Sequence, residues 1–213
     1  MRMFALAAAV AAALFAGTAS AQNYVSLAVG NTDAGSTNTY NLSPSGTVVD
    51  IRAGHVFFDD DFTVAAEVGS MIGNVAAEQV IQTCKVTSCG YDEFDHEYRQ
   101  MDWSGSLGLK IGHNVGPVQV FVSGGVRVAQ VTEGSRYDSG GAYPTGSYEQ
   151  TTYAAGPYYG AGISYPLSDR FSATLAYERA NLTRMSWNST WGSGDTGFQQ
   201  ETWTAGVRWT FGK

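Results

Sequence analysis

Apolar and polar residues alternate along eight separate segments of the chain. Successive side chains of a β-strand point to opposite faces, so this period of two predicts eight strands, each with one apolar face and one small or polar face. The predicted strands cover residues 23–30, 48–57, 62–72, 101–112, 118–131, 152–165, 171–180 and 199–211.

The connections between these segments differ in length in a regular way. The short ones lie around residues 59–60, 113–116 and 166–169. The long, polar ones lie at 31–46, 73–100, 132–150 and 181–198. This rhythm predicts an up-and-down barrel with tight turns at one rim and large loops at the other, the arrangement of outer-membrane barrels. An even number of strands places both chain ends at the turn rim.

The two faces of the predicted strands indicate which side points inward. The polar face carries mostly small residues, which fit the narrow interior of an eight-stranded barrel. The apolar face carries aromatic residues near the strand ends, such as Phe57 and Phe62 at one rim and Trp103 and Tyr153 at the other. Two aromatic belts are expected where a barrel meets two membrane interfaces. The sequence therefore predicts an all-β, eight-stranded antiparallel up-and-down transmembrane β-barrel. The alternative is a secreted soluble ligand-binding barrel with its valines inside.

Charged residues on the predicted inner face form the candidate site. Unpaired charges in a narrow interior are costly, so we expect these side chains to pair. Counting outward from the short turns places Arg52 opposite Glu67, and Asp102 opposite Arg127. Eight strands enclose little space, which favours a packed polar core over an ion path. The predicted lumen charge network is Asp50, Arg52, Glu67, Asp102, Lys110, Arg127, Glu178 and Arg208.

The first 21 residues have the pattern of a secretory signal peptide. Arg2 precedes an apolar run at 3–16, and Ala19-Ser20-Ala21 fits the cleavage site; the run is shorter than the roughly 20 residues of a membrane-spanning helix. We expect residues 1–21 to be removed and residues 22–213 to form one barrel domain. The chain has a formal net charge of −7. We therefore expect no nucleic-acid partner, because such binding depends on neutralising phosphates.

Two cysteines lie close together in a chain that we expect to be exported. Cys84 and Cys89 are therefore predicted to form a disulfide, since exported proteins meet an oxidising environment. The alternative, a zinc site that also uses His96, lacks an obvious fourth ligand. The acidic segment 92–97 is expected to be a solvated loop, with a divalent-cation site as the alternative.

The chain has three histidines, His55, His96 and His113. None stands at strand spacing from a serine and an acid in the way that nucleophilic hydrolysis requires. Gly-x-Gly sequences lie within strands and not at a strand-to-helix turn, so they predict no phosphate loop. We expect no cofactor, no resident metal and no enzymatic activity.

Three segments and the aromatic last strand resemble a known family. Residues 21–30 read AQNYVSLAVG, residues 48–67 hold two strands around an acidic turn, and residues 160–171 read GAGISYPLSDRF. They are similar to the small eight-stranded outer membrane β-barrel proteins of Gram-negative bacteria, the OmpA-like transmembrane domain or porin family group. The resemblance covers essentially the whole mature chain and implies a place in the cell outer membrane.

The resemblance also implies partners and roles. The last strand would carry the insertion signal, and outer-membrane lipid, lipopolysaccharide and the barrel-assembly machinery would be its partners. We expect a non-enzymatic barrel that supports outer-membrane structure and integrity, or that binds host or cell-surface ligands through four long loops. The alternative is a narrow channel for small or hydrophobic solutes, similar to OmpW-like barrels, lined by Met71, Phe121 and Tyr158. The insertion signal consists of Trp203, Val207, Trp209 and Phe211.

Overall fold

The computed structural model describes residues 22–36, 42–59, 62–84, 93–138, 146–184 and 197–211. These residues form eight strands that close into one barrel in sequence order, with every neighbouring pair antiparallel and β1 beside β8. The predicted fold class is confirmed. None of the described residues belongs to a helix long and apolar enough to cross a membrane. The strands are β1 (Gln22–Ser36), β2 (Ser45–Asp59), β3 (Phe62–Cys84), β4 (Glu93–Val115), β5 (Val118–Asp138), β6 (Gly146–Pro166), β7 (Phe171–Arg184) and β8 (Gly197–Phe211).

The burial of side chains confirms which face points inward. Leu107 and Val122 on the apolar face remain 57% and 55% exposed, as expected for a wall that faces lipid. Arg127 and Glu178 on the opposite face are 1% and 3% exposed. The wall is therefore apolar outside and encloses buried charges, the inverse of a soluble barrel.

Aromatic rings on the outer wall gather near the two ends of the barrel. Tyr177 packs against Trp203 with ring centroids 4.8 Å apart, toward the loop rim. Trp209 lies 5.1 Å from Phe211 at the turn rim. The predicted insertion signal lies on the outward face of β8, where lipid would meet it. Its four residues are Trp203, Val207, Trp209 and Phe211.

Small residues on the inner face make room for large side chains that cross the interior. A Cβ atom at Gly54 would collide with the Tyr24 ring, and one at Gly108 would collide with the Tyr158 hydroxyl. The two tyrosines are 2% and 3% exposed. The small polar face seen in the sequence therefore reflects a filled interior and not an open pore.

Four strands are much longer than the alternation predicts. β3 and β4 have 23 residues each, and β5 and β6 have 21, whereas β7 has 14. The segments predicted as long loops at 73–100 and 132–150 are therefore mostly strand, which corrects the prediction. β2 leaves β3 at the Ser45–Ala76 pair, and β7 leaves β6 at the Ala154–Arg184 pair. Beyond those pairs the described residues of β3 to β6 pair only with one another. They form the strand extension, residues 77–84, 93–100, 132–138 and 146–153.

The predicted cross-strand pairs need correction because the turns differ from those assumed. Glu67 lies opposite Gly54 and not Arg52, because Asp59 pairs with Thr63 and a bulge lies between Val56 and Phe58. Arg52 and Glu67 are nevertheless in ion-pair range, at 4.0 Å.

The predicted pair of Asp102 and Arg127 is wrong in a simpler way. Arg127 lies opposite Ser106, and Asp102 stands in a bulge between Met101 and Trp103. β4 and β5 run on to a two-residue turn in which Gly116 takes a φ of 61°, a value that glycine adopts without strain at the first central position of a hairpin turn.

Two sequence predictions fall outside the described residues. The signal peptide at 1–21 and the disulfide partner Cys89 both lie there. Cys84 is the last residue of β3. Cleavage and the disulfide stay predictions.

Candidate functional site

An ionic cluster fills the middle of the barrel, and Glu178 on β7 is its centre. Its carboxylate accepts hydrogen bonds from Arg52 on β2, including one of 2.8 Å from Nη2, and from Arg127 Nη2 on β5 at 2.5 Å. The three strands are not neighbours in the wall. The side chains meet because all of them point into the same narrow interior.

Asp50 completes the environment of Arg52. The two residues are two positions apart on β2 and share its inner face. Arg52 Nε and Nη2 donate to Asp50 Oδ2 at 2.8 and 2.6 Å. Charge-assisted, forked contacts of this kind fix a guanidinium in one orientation. The chain of alternating charge therefore runs from Asp50 through Arg52 and Glu178 to Arg127.

Glu67 on β3 organises the neighbouring layer toward the turn rim. Lys110 Nζ on β4 lies 3.5 Å from its carboxylate, and the Tyr24 hydroxyl on β1 donates to it. The Lys110 ammonium also lies 3.7 Å from the centre of the Phe121 ring, a cation–π contact that partly offsets its removal from water. Each of these groups is no more than 7% exposed.

Six of the eight residues predicted as the lumen charge network thus come together among the described residues. Asp102 does not join them, because its carboxylate accepts from Gln100 two positions away on the same strand. Arg208 is inward but contacts neutral groups: Gln119 Oε1 at 3.2 and 3.3 Å and Ser164 Oγ at 3.2 Å. The residues that join are Asp50, Arg52, Glu67, Lys110, Arg127 and Glu178.

An apolar cluster occupies the interior toward the loop rim, above the ionic cluster. Its members are 0 to 7% exposed, so they pack against one another inside the barrel. Sequence reasoning placed Met71 and Tyr158 on the lumen side but did not identify the cluster. Leu182 and Phe198 lie outside the predicted strands, and a bulge before Val75 shifts the register of β3. The larger members are Val48, Met71, Val75, Met101, Val131, Tyr158, Leu182 and Phe198.

Paired polar side chains hold the strand extension together. Tyr98 crosses over Gly134 and donates to Glu149 Oε2 at 2.7 Å; this hydrogen bond raises the pKa of the tyrosine. Arg99 and Glu133 stand opposite each other and form a 2.5 Å ion pair. These contacts link β4 to β5 and β6 across the sheet.

Within the described residues, each of the three histidines contacts a neighbouring side chain. His55 Nδ1 lies 2.8 Å from Asn23 Oδ1, His96 Nδ1 lies 3.1 Å from Glu78 Oε1, and His113 stacks on Phe62. Partial burial, with the Asp95 carboxylate nearby, raises the pKa of Glu97. Among the described residues, no three His, Cys, Asp or Glu side chains are grouped so as to hold a metal ion.

A family model described as outer membrane protein β-barrel domain matches residues 3–211. The comparison with curated protein sequences finds no match.

Solved structures with a similar architecture were also found. Neisserial surface protein A is 18% identical, with 89% of this chain and 97% of that chain covered and a TM-score of 0.48. Ail, the attachment invasion locus protein of Yersinia pestis, is 14% identical, with 90% and 99% covered and a TM-score of 0.42. The outer membrane protease OmpT of Escherichia coli is 12% identical, with 91% and 98% covered and a TM-score of 0.44. These identities and TM-scores are too low to assign the activity of any of these proteins to this chain.

Proposed function

Because the chain belongs to the family of outer membrane proteins with a β-barrel domain, we propose that it is a closed, non-catalytic barrel that presents the strand extension at the cell surface. The extension serves there as a platform for contact with macromolecules of other cells. The observation that carries this proposal is the continuation of four strands beyond the barrel wall, joined by their own ion pair and hydrogen bonds.

The filled interior argues against transport as the main role. Three layers of side chains follow one another along the barrel axis: the Lys110 and Glu67 layer, the ionic cluster and the apolar cluster. Arg127 and Leu182 are each 1% exposed. A narrow solute channel would need these layers to part, and the ionic contacts of Glu178 hold three strands in fixed positions.

The position of the extension supports a surface role. It lies at the rim opposite the β2–β3, β4–β5 and β6–β7 connections, and in outer-membrane barrels such short turns face the periplasm. Each extended strand adds about eight residues, or roughly 25 Å measured along the strand. A sheet of this length would extend from the barrel wall into the lipopolysaccharide layer.

The edge of the extension offers backbone groups to a partner. Residues 146–151 of β6 are all exposed, and pairing with β7 begins only at Ala154. Within the described residues this stretch pairs with β5 alone. An exposed strand edge can add a further strand from a partner. We place host or cell-surface polypeptides at this edge, lipopolysaccharide around the barrel wall, and the barrel-assembly machinery at the last strand.

The proposal is tested by removing the extension at positions where strands already face each other. Ala76 lies opposite Gln100, and Thr132 lies opposite Thr151. Residues 77–99 and 133–150 are each replaced with an Asn-Gly turn, which closes a two-residue hairpin. Bacteria that express the wild type or the truncated protein are scored for attachment to host cells and for detergent sensitivity.

We expect the truncated barrel to stay folded and to lose attachment. Folding is checked by electrophoresis in SDS, where an unboiled barrel migrates apart from the boiled chain. Variants that lack only one hairpin are the controls that assign the binding to a strand pair. Unchanged attachment with a detergent-sensitive outer membrane would refute the surface role and assign the barrel to membrane integrity. Large, steady conductance of the intact protein in a planar bilayer would refute the closed interior.

A further inference from the structure

The charges of the interior do not balance near the turn rim. Among the described residues, the interior contacts given above involve four cationic side chains and three carboxylates. Asp102 is not counted, because it bonds to Gln100 at the bulge toward the loop rim. Asp50, Glu67 and Glu178 are taken up by Arg52, Lys110 and Arg127. Arg208 is left with neutral hydrogen-bond partners only, Gln119 and Ser164.

The surplus cation lies near a second cation and not in open water. The Arg208 guanidinium carbon is 5.4 Å from the centre of the Tyr24 ring, and Lys110 Nζ is 5.7 Å from the same centre. Two like charges that converge on one ring repel each other in a medium of low dielectric constant. An anion between them would relieve that repulsion.

Each of these two cations has an unused hydrogen-bond donor, on its own side chain for Arg208 and on the residue opposite it for Lys110. Arg208 Nε is buried and has no partner among the described groups, and neither has the hydroxyl of Ser123. Ser123 is 8% exposed and stands directly opposite Lys110 on the neighbouring strand. Buried donors without partners are rare in folded proteins and call for an explanation.

Access to this place is from one side. Arg208 is only half-buried and lies three residues from the end of β8 at the turn rim. Toward the loop rim, the ionic cluster and the apolar cluster close the interior. A solute can therefore arrive from the turn side and cannot pass through.

We propose that the turn-side half of the interior binds a small inorganic anion of the size of chloride. Arg208 and Lys110 supply the charge, and Arg208 Nε and the Ser123 hydroxyl supply hydrogen bonds. The arrangement selects an anion because the unused atom of Arg208 is a donor and the hydroxyl can act as one. The narrow eight-stranded interior limits the size.

Bromide is the probe for the direct test, since it replaces chloride and scatters X-rays anomalously. Crystals of the intact barrel grown in bromide should show an anomalous peak within hydrogen-bond distance of the Arg208 guanidinium. A map with no peak inside the barrel overturns the proposal, whatever the behaviour of any variant.

The second test measures chloride affinity in solution from the saturable broadening of the ³⁵Cl resonance by refolded protein in detergent micelles. Arg208→Gln should weaken the affinity by at least about tenfold, the loss expected for a charge-assisted hydrogen bond. Arg179→Gln is the matched control, because Arg179 is 33% exposed and pairs with Glu201 on the outer wall. The chloride affinity of the Arg179→Gln variant should equal that of the wild type. Equal broadening by wild type and Arg208→Gln, with both folded by gel mobility, would overturn the assignment.

Discussion

Because Glu178 is the centre of the ionic cluster, we predict how much unfolding free energy the barrel loses when this residue is replaced. Glu178→Gln keeps the shape of the side chain and removes the negative charge that Arg52 and Arg127 share. Arg127 is 1% exposed, so it would be left as an uncompensated charge with little access to water. Removing one partner of a buried ion pair costs about 3 to 5 kcal/mol. We expect a loss of unfolding free energy in that range.

The assay is equilibrium unfolding in urea of the barrel refolded into lipid vesicles, followed by tryptophan fluorescence and by gel mobility without boiling. Glu201→Gln is the matched control, with the same chemistry on the neighbouring strand. Its carboxylate is 44% exposed and lies 3.5 Å from Arg179. An exposed ion pair contributes about 0 to 1 kcal/mol. The two substitutions should therefore differ by about 2 kcal/mol or more.

A double-mutant cycle separates the ion pair from other effects. Arg127→Met combined with Glu178→Gln should cost less than the sum of the single changes, because the double variant no longer buries a lone charge. Residues in one network couple by about 0.5 to 3 kcal/mol. Additive losses, or a loss in Glu178→Gln no larger than in Glu201→Gln, would refute the view that the cluster stabilises the barrel.

Three further predictions use the same unfolding assay. Leu182→Ala, in the apolar cluster and 1% exposed in the wild type, should lose about 2 to 5 kcal/mol; a loss below about 1 kcal/mol would mean that the cluster is loosely packed. Val207→Arg places a charge on the lipid-facing side of β8 and should lose about 2 to 4 kcal/mol near mid-membrane, with a lower yield of folded barrel in vesicles; a normal yield would contradict the outward assignment. Asp50→Asn should lose at least about 1.5 kcal/mol because it removes the charge that holds Arg52, whereas Asp102→Asn, at the bulge, should stay within about 0.5 kcal/mol. Equal effects of the two asparagine substitutions would show that the contacts of Arg52 do not matter.

The wall of the barrel was predictable because one of its faces meets lipid. In the first half of β5 every second residue is a valine, from Val118 to Val122 and again at Val126 and Val128, so the period of two is visible without a structure. The strand extension was not predictable in this way. Both of its faces meet water, so residues such as Glu78 and Gln79 carry no alternation.

The register was missed because it depends on turn residues that alternation does not reveal. A turn centred on residues 114 and 115 would pair Asp102 with Arg127, whereas the turn at Gly116 and Pro117 moves the pairing by four positions. The dipeptide Gly116-Pro117 was the available signal, since Gly-Pro marks turns.

The charges of the site were recognisable, but their partners were not. Charged residues stand out on a face made of small residues, and this identified Arg52 and Glu178. Cross-strand counting compares neighbouring strands only, whereas these two residues belong to β2 and β7 and meet across the interior. Contacts of that kind depend on the closed shape of the barrel.

The contact between Arg52 and Glu178 also constrains how the protein is assembled. The two residues are 126 positions apart in the chain, so their contact forms only when a late strand joins an early one; within its own strand Arg52 is paired with Asp50. A lone carboxylate or guanidinium carried into the bilayer on a single strand is costly. Insertion coupled to ring closure avoids this cost, because the Glu178 carboxylate then enters together with the guanidinium groups of Arg52 and Arg127.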